Sequence, residues 1–489
     1  MSGNETDLYR PRFHFTPVSG WMNDPNGLVY YQNEYHLFYQ YIPDLNRRGA
    51  LHWGHAVSAD LVHWRQLPVA IYPDNDGEIW SGSIVVDREN TAGFHYGNEK
   101  ALIALFTQTK NHKQKQGLAF SIDKGRNWDK YIHNPVIPNP GLKDFRDPKV
   151  FWYEQGKIWV MVLAAGDRIL FYNSPDLKNW ERAGEFGFED GSHEGVWECP
   201  DLFCLKYENI SSNKKWVLLV SVTDGAPNGG SGIQYFIGSF DGKSFTNDYP
   251  PERIFWLDYG RDNYAAVSFS DIPAGDGRRI LMGWMSNWQY ARDLPTYPWK
   301  GTMTLPRSIS LVKGQADQPI LASVPVRELK TLRKEKSGIH NQWLAKPLRI
   351  SLGNTIPDGL VEVNIEYEIG NAHKTDIVFK NSKNDFLLIH CDHMAQKINI
   401  DRSHSGRLDF HHQFAGIHSA ELILSESLIK LHIFVDRLSA EIFLAEGQVV
   451  FTELIFPRQP FNTLEIRPVG GNIYLQKCDI WLLNSTGQV

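Results

Sequence analysis

The sequence predicts an all-β chain: a five-bladed β-propeller followed by a C-terminal β-sandwich. Three observations carry this. A weak repeat of strand, Ser-x-Asp turn and aromatic residue recurs at intervals of roughly 50–65 residues, a spacing that fits four-stranded blades. Long helical patterns are nearly absent before residue 325. Beyond it, short alternating runs with turn residues between them fill the chain, as in a sandwich.

The repeats run in order. Ser58-Ala59-Asp60 leads to Trp64, Ser121-Ile122-Asp123 to Trp128, Ser174-Pro175-Asp176 to Trp180, and Ser239-Phe240-Asp241 to Phe245. Ser286-Asn287-Trp288 reads as a shortened fifth copy. Each follows an apolar or alternating run, at 51–57, 118–120, 169–172, 233–237 and 280–285. Ser and Asp side chains bond nearby backbone groups, so each copy reads as a turn with an aromatic residue entering the next strand. These copies assign residues 1–324 to the propeller. Pro325 and the charged stretch after it, within 323–333, predict a short helix and a helical linker over 325–340. The runs at 348–352, 361–369, 386–389, 397–400, 422–434 and 449–456 assign 341–489 to the sandwich. That half shows no clear constellation of exposed aromatic residues, so it is expected to brace the propeller.

Composition narrows the partners. The 489 residues are 42% hydrophobic, enough for substantial cores, and carry a formal net charge of -6, which argues against nucleic acid. No apolar run is long enough to span a bilayer. Met1 to Asp7 is polar and acidic without a leader pattern, so a cytoplasmic protein is expected if the chain is full length, and a secreted one if a leader was removed. Sixteen tryptophans are a high load; they suit flat sugar-binding surfaces as well as β packing. The four cysteines make no disulfide framework, and Cys199 and Cys204 match no common metal or redox spacing. His390-Cys391-Asp392-His393 looks metal-like, but alternate strand residues face opposite ways, so it reads as structural. Neither a cofactor nor a metal is expected.

Three carboxylates stand in distinctive settings. Asp24 lies in Trp21-Met22-Asn23-Asp24-Pro25-Asn26-Gly27, Asp147 in Phe145-Arg146-Asp147-Pro148, and Glu198 in Trp197-Glu198-Cys199-Pro200-Asp201. Proline after Asp24 favours extended backbone, and Asn26-Gly27 then makes a sharp turn. Glu198 sits between Trp197 and Cys199, where desolvation favours the protonated form that a general acid needs. Sugar-cleaving enzymes work with such carboxylate pairs.

Together with Phe38 to Tyr41, Trp53 to Ala56, Trp80 to Ser83, Asp258 to Gly260, Asp262, Tyr264 to Ala266 and Gly283-Trp284, these segments resemble glycoside hydrolase family 32, the invertases, levanases and exo-inulinases. Phe434 to Arg437 and Glu441 to Phe443 look like its C-terminal signature. The resemblance runs in order from about residue 9 to 483 and looks most like the levanase branch. It implies a retaining exo-β-fructosidase acting on fructans, fructo-oligosaccharides and sucrose. The alternatives on the same scaffold are a sucrose or sucrose-6-phosphate hydrolase, a fructosyltransferase, or, more remotely, a non-catalytic fructan-binding protein. The resemblance implies Asp24 as nucleophile, Glu198 as acid/base and Asp147 as transition-state stabiliser. It further implies Asn23, Gln40, Trp80, Ser81, Arg146, Tyr264 and Trp284 as substrate-binding residues. Partners are then a small carbohydrate substrate and neither nucleic acid nor membrane, with pairing of two copies through the sandwich left open. One departure stands out: Arg48, after Arg47, falls where the family usually has a Trp walling the fructose site. Asn263 and Leu438 replace the usual Phe and Ser.

Overall fold

The structure is a computed structural model that describes residues 8–46, 49–95, 97, 99–207, 213–314, 317–352, 359–423 and 427–487. It is all-β. Helical structure among the described residues is confined to short 3-10 turns.

Up to residue 325 the described strands form five sheets, antiparallel meanders apart from two short strands, Phe255–Trp256, which pairs back with Gly232–Phe240, and Trp299–Lys300. The first strands of these sheets are Gly20–Tyr31, Glu78–Asp87, Arg146–Tyr153, Trp197–Lys206 and Tyr264–Ser268. Each touches the next, and the fifth touches the first. Trp299–Lys300 adds in parallel to the edge of the first sheet at Gly20 and Trp21. Successive sheets share apolar clusters: Phe38 and Trp53 with Ile84 and Phe106, Leu105 with Val150 and Met161, Val162 and Phe171 with Leu218 and Phe236, Leu219 and Ile237 with Leu281 and Ile309, and Ile280 and Met282 with Leu37 and Tyr39. This explains near-continuous apolar strands such as Ala101–Lys110, which is covered on both faces.

Four of the five expected repeats are turns between the third and fourth strands of their sheets. In the first, Asp60 Oδ1 accepts from the backbone N–H groups of Val62 and His63, and Trp64 Nε1 donates to the Leu61 carbonyl. Asp123 and Asp176 repeat this arrangement. The shortened fifth copy is not one of these turns. Ser286-Asn287-Trp288 follows a second strand, Arg279–Trp284, and the Asn287 amide donates instead to the carbonyls of Arg261 and Ser231.

The helix expected within 323–333 is one 3-10 segment, Arg327–Leu332. Residues 333–340, expected in the helical linker, belong instead to a strand, Arg333–Leu344, paired with Ile473–Leu483. With it, the described strands that follow form two six-stranded sheets enclosing one core that includes Val363, Ile365, Ile377, Phe379, Ile433 and Ile466. Strands there alternate between buried and partly exposed residues, as in Phe386–Asp392. In the metal-like run, Cys391 is buried in this core, His390 Nδ1 meets Asp376 Oδ1 at 2.6 Å, and His393 Nδ1 meets the Ala372 carbonyl at 2.9 Å.

Candidate active site

Every first strand carries a bulge near its start. The register slips at Met22/Pro25, Ile79/Gly82, opposite Val162/Ala164 on the strand that begins at Arg146, at Glu198/Asp201 and at Tyr264/Val267. A bulge bends its strand and re-aims side chains. Three residues at these points take left-handed backbone without being glycine: Asp147 at φ 64°, Cys199 at 46° and Ala265 at 53°. Such conformations are strained and cluster at functional sites. Pro148 and Pro200 fall within bulges, where a missing ladder N–H does no harm. The freed donors find other acceptors. The Asp147 N–H donates to Thr107 Oγ1 at 2.8 Å, and the Ala265 N–H to Ser221 Oγ at 3.1 Å.

The bulges bring seven of the ten expected site residues into one network. Asp24 accepts from Ser81 Oγ at 2.7 Å and from Asn23 Nδ2 at 3.0 Å. Asp147 Oδ2 accepts from the Cys199 N–H at 3.1 Å. The Cys199 thiol lies between the two, 3.5 Å from Asp24 Oδ2 and 3.6 Å from Asp147 Oδ2. Glu198 accepts from Arg146 Nε at 2.9 Å on one oxygen and from the Tyr264 hydroxyl on the other. Arg146 is itself anchored by Asp144 Oδ1 at 2.6 Å. Trp284 joins by ring contact with Tyr264 at 6.4 Å. Gln40 and Trp80 engage the backbone next to Ser81. Gln40 Nε2 donates to the Ile79 carbonyl at 3.3 Å and Trp53 Nε1 to the Trp80 carbonyl at 2.9 Å, so Gln40 and Trp53 hold the bulge that presents Ser81.

Burial and crowding set the electrostatics. Asp24 is 8% exposed and Asp147 6%. Burial pushes the Asp24 carboxyl up, and the nearby Glu198 charge adds to this. The same two causes, against Arg146, raise Asp147 to about 7. Burial and the carboxylates keep the Cys199 thiol and the Tyr264 phenol protonated, as donors.

Sequence reasoning missed part of the site. Trp21, Trp284 and Trp288 form an aromatic group: Trp284 and Trp288 lie 4.7 Å apart, and Trp21 stacks on Trp288 at 6.3 Å. Trp288 is the residue assigned to a repeat turn, and a lone Trp gave no other signal. Cys199, which the sequence marks as an apolar neighbour of Glu198 with no metal or redox spacing, is a thiol donor between two carboxylates. Arg47 and Arg48 lie outside the described residues. A separate cavity of about 480 Å3, lined by Lys149, Asp201, Phe203 and Asp271, holds none of the expected catalytic residues.

Three carboxylates gathered at the bulges of the first, third and fourth sheets' first strands, beside tryptophan faces, define a glycoside hydrolase site. Comparison with known proteins gives the lineage. Residues 14–324 match the model of the glycosyl hydrolases family 32 N-terminal domain, and residues 328–482 match that of the glycosyl hydrolases family 32 C terminal. The levanase of Bacillus subtilis (strain 168) is 50% identical over 475 residues, spanning 96% of this chain and 70% of that protein. The extracellular exo-inulinase of Aspergillus awamori is 35% identical over 99% of this chain and 96% of its own length. A crystal structure of exo-inulinase from that organism matches with a TM-score of 0.90 over 98% of this chain and 99% of that one, at 35% identity. The β-fructofuranosidase of Schwanniomyces occidentalis, complexed with fructosyl-erythritol, matches with a TM-score of 0.91 at 32% identity over 99% of both chains. The chain belongs to glycosyl hydrolase family 32.

Proposed function

We propose that this chain is a retaining exo-β-fructosidase, which hydrolyses terminal β-D-fructofuranosyl residues of fructans, fructo-oligosaccharides and sucrose. The levanase and exo-inulinase relatives support the substrate class. One observation carries the mechanism: Asp24, Asp147 and Glu198 converge although they are far apart in sequence, with Glu198 close enough to raise both aspartates.

Asp24 attacks the anomeric C2 as a carboxylate. A bond forms between its oxygen and C2, and the C2 bond to the leaving oxygen breaks. Glu198 gives that oxygen its proton. Water then attacks C2, returns a proton to Glu198 and releases Asp24. Asp147 binds fructose hydroxyls and steadies the oxocarbenium-like charge, and Arg146 holds Glu198. Asn23, Ser81, Tyr264 and Trp284 line the fructose pocket. Gln40 and Trp80 are further substrate-binding residues in this reading. Retention requires the Asp24 and Glu198 carboxyl groups about 5–5.5 Å apart. In this reading the five sheets up to residue 324 are five propeller blades around the site, and the two six-stranded sheets are a sandwich domain.

The test is product analysis on levan, inulin and sucrose. Exo action releases fructose without intermediate oligosaccharides at early times. Asp24→Ala should lose nearly all turnover on every substrate, because no covalent intermediate forms. Glu198→Ala should lose turnover on natural substrates and far less on a fructoside whose leaving group needs no proton. Equal losses on both would remove Glu198 from the acid role.

A further inference from the structure

The six-stranded sheet that begins with Arg333–Leu344 carries an aromatic pair on its outer face that no core uses. Trp343 is paired directly with Tyr474, and Tyr474 with Glu368 on the next strand. Directly opposed residues share a face, so the three form a row across the sheet. The two rings lie 5.3 Å apart at 54°. Trp343 is 61% exposed, and no other tryptophan of the described residues is exposed. Its position is nonetheless held. Its Cζ3 lies 3.0 Å from where Gly370 would carry a Cβ, so the indole rests on bare backbone.

The rim of this pair is polar. The Tyr474 hydroxyl donates to Asn341 Oδ1 at 3.4 Å, and Gln476 Nε2 donates to Glu368 Oε1. Lys477 and Glu366 stand beside them, 3.1 Å apart. A fixed aromatic surface fringed by amide, carboxylate and ammonium groups suits a sugar. The C–H face lies on the rings and the hydroxyls reach the fringe. It suits a second protein poorly. A stable dimer buries about 800 Å2 on each partner, and two aromatic side chains supply only part of that. At the far end of the same edge strand Lys334, Glu335 and Lys336 are exposed and charged, and Lys346 follows the pair, which blunts this edge against pairing. Trp481, on the same strand as Tyr474, packs at the first five sheets; Tyr474 lies seven residues further along, about 23 Å away.

We propose that Trp343 and Tyr474, with Asn341 and Glu368, form a surface site for a fructan chain, separate from the catalytic cleft, which keeps polymeric substrate against the enzyme. The choice of ligand rests on the fructan-hydrolase reading above. Binding is read on the full chain carrying Asp24→Ala, so that polymer is not consumed, as retardation in native gels containing levan or inulin. Replacing Trp343 and Tyr474 together by Ala in that background should remove most of the retardation without changing the melting temperature. In the active chain the same two substitutions should raise KM for polymer roughly three- to tenfold and leave kcat/KM for sucrose unchanged. No retardation, or equal retardation with and without the two rings, overturns the site. It is also overturned if light scattering shows a dimer that the double substitution splits, because the patch then joins two copies. An active chain that cleaves neither fructan nor sucrose removes the proposed function instead, and the gel measurement still reads the surface site on its own.

Discussion

At Glu198 two demands meet in one side chain. It accepts from Arg146 and Tyr264, and its charge helps to raise the carboxyls of Asp24 and Asp147. A carboxyl with a raised pKa stays protonated to higher pH, so a step that needs ionised Asp24 is lost sooner as pH falls. Glu198→Gln removes that charge. On a fructoside with an activated leaving group, the acidic limb of kcat/KM should therefore move to lower pH in this variant. An unmoved limb would assign it to a group that does not feel Glu198. The same raised pKa has a stability side. Burial and the Glu198 charge raise the Asp147 carboxyl from an ordinary 3.8 to about 7, so the native state binds its proton more tightly than the unfolded one. Its contribution is full below the ordinary value and is lost as pH rises through about 7. At pH 7 the site is thus held against a penalty, and Asp147→Asn should raise the melting temperature by roughly 2 °C while abolishing turnover.

Among the elements, the turns were legible in the sequence and the bulges were not. Asp60, Asp123 and Asp176 each collect backbone N–H groups within a few residues, so the chemistry of the turn is local and repeats visibly. Asn287 also turns the chain locally, accepting from the Gln289 N–H, but its amide donates to carbonyls of Arg261 and Ser231, which are distant in the chain, so Ser286-Asn287-Trp288 is not a link between a third and a fourth strand. The prolines that follow Asp147 and Cys199 do fall in the bulged strands. What no motif reveals is the left-handed backbone at Asp147, Cys199 and Ala265, which depends on partners such as Thr107 and Ser221 in neighbouring strands. The platform of Trp343 and Tyr474 was hidden for a similar reason: the two residues are 131 positions apart and meet only through strand pairing. The bulge at Ala265 is testable in isolation. Glycine suits a φ of 53°, whereas a β-branched residue does not. Ala265→Gly should keep kcat within a few-fold. Ala265→Val should displace the adjoining Tyr264 and Glu198 contact and cost on the order of 100-fold in kcat. Equal activity of the two variants would mean that the bulge does not position the acid.

Over the whole molecule, the two halves are joined by buried charge. His14 Nδ1 meets Asp436 Oδ2 at 2.7 Å and Nε2 meets Glu441 Oε1 at 2.9 Å, so both ring nitrogens face carboxylates across the junction. Glu441 also pairs with Arg307, which reaches Asp258 at 2.9 Å. Arg402 pairs with Asp262 in a second cluster of the same kind. This gives the Asp436 and Glu441 signature a structural meaning: it is the lock between the halves. Burial opposes charge on His14, but the two carboxylates outweigh it and raise the imidazole to about 9. Burial likewise opposes ionised Glu441, and Arg307 and His14 outweigh it, lowering the carboxyl to about 2. The signs follow by linkage. The stability from His14 is full below 6.5 and is lost as pH rises through about 9. That from Glu441 is full above 4.5 and is lost as pH falls through about 2. The junction is therefore strongest between these limits. His14→Gln leaves two buried carboxylates short of a partner, a loss of about 3–5 kcal/mol below pH 6.5. Thermal melts from pH 6 to 10 should show the parent losing stability toward pH 9 and the variant starting lower with a flatter profile. Parallel profiles for the two proteins would mean that His14 carries no charge across the junction.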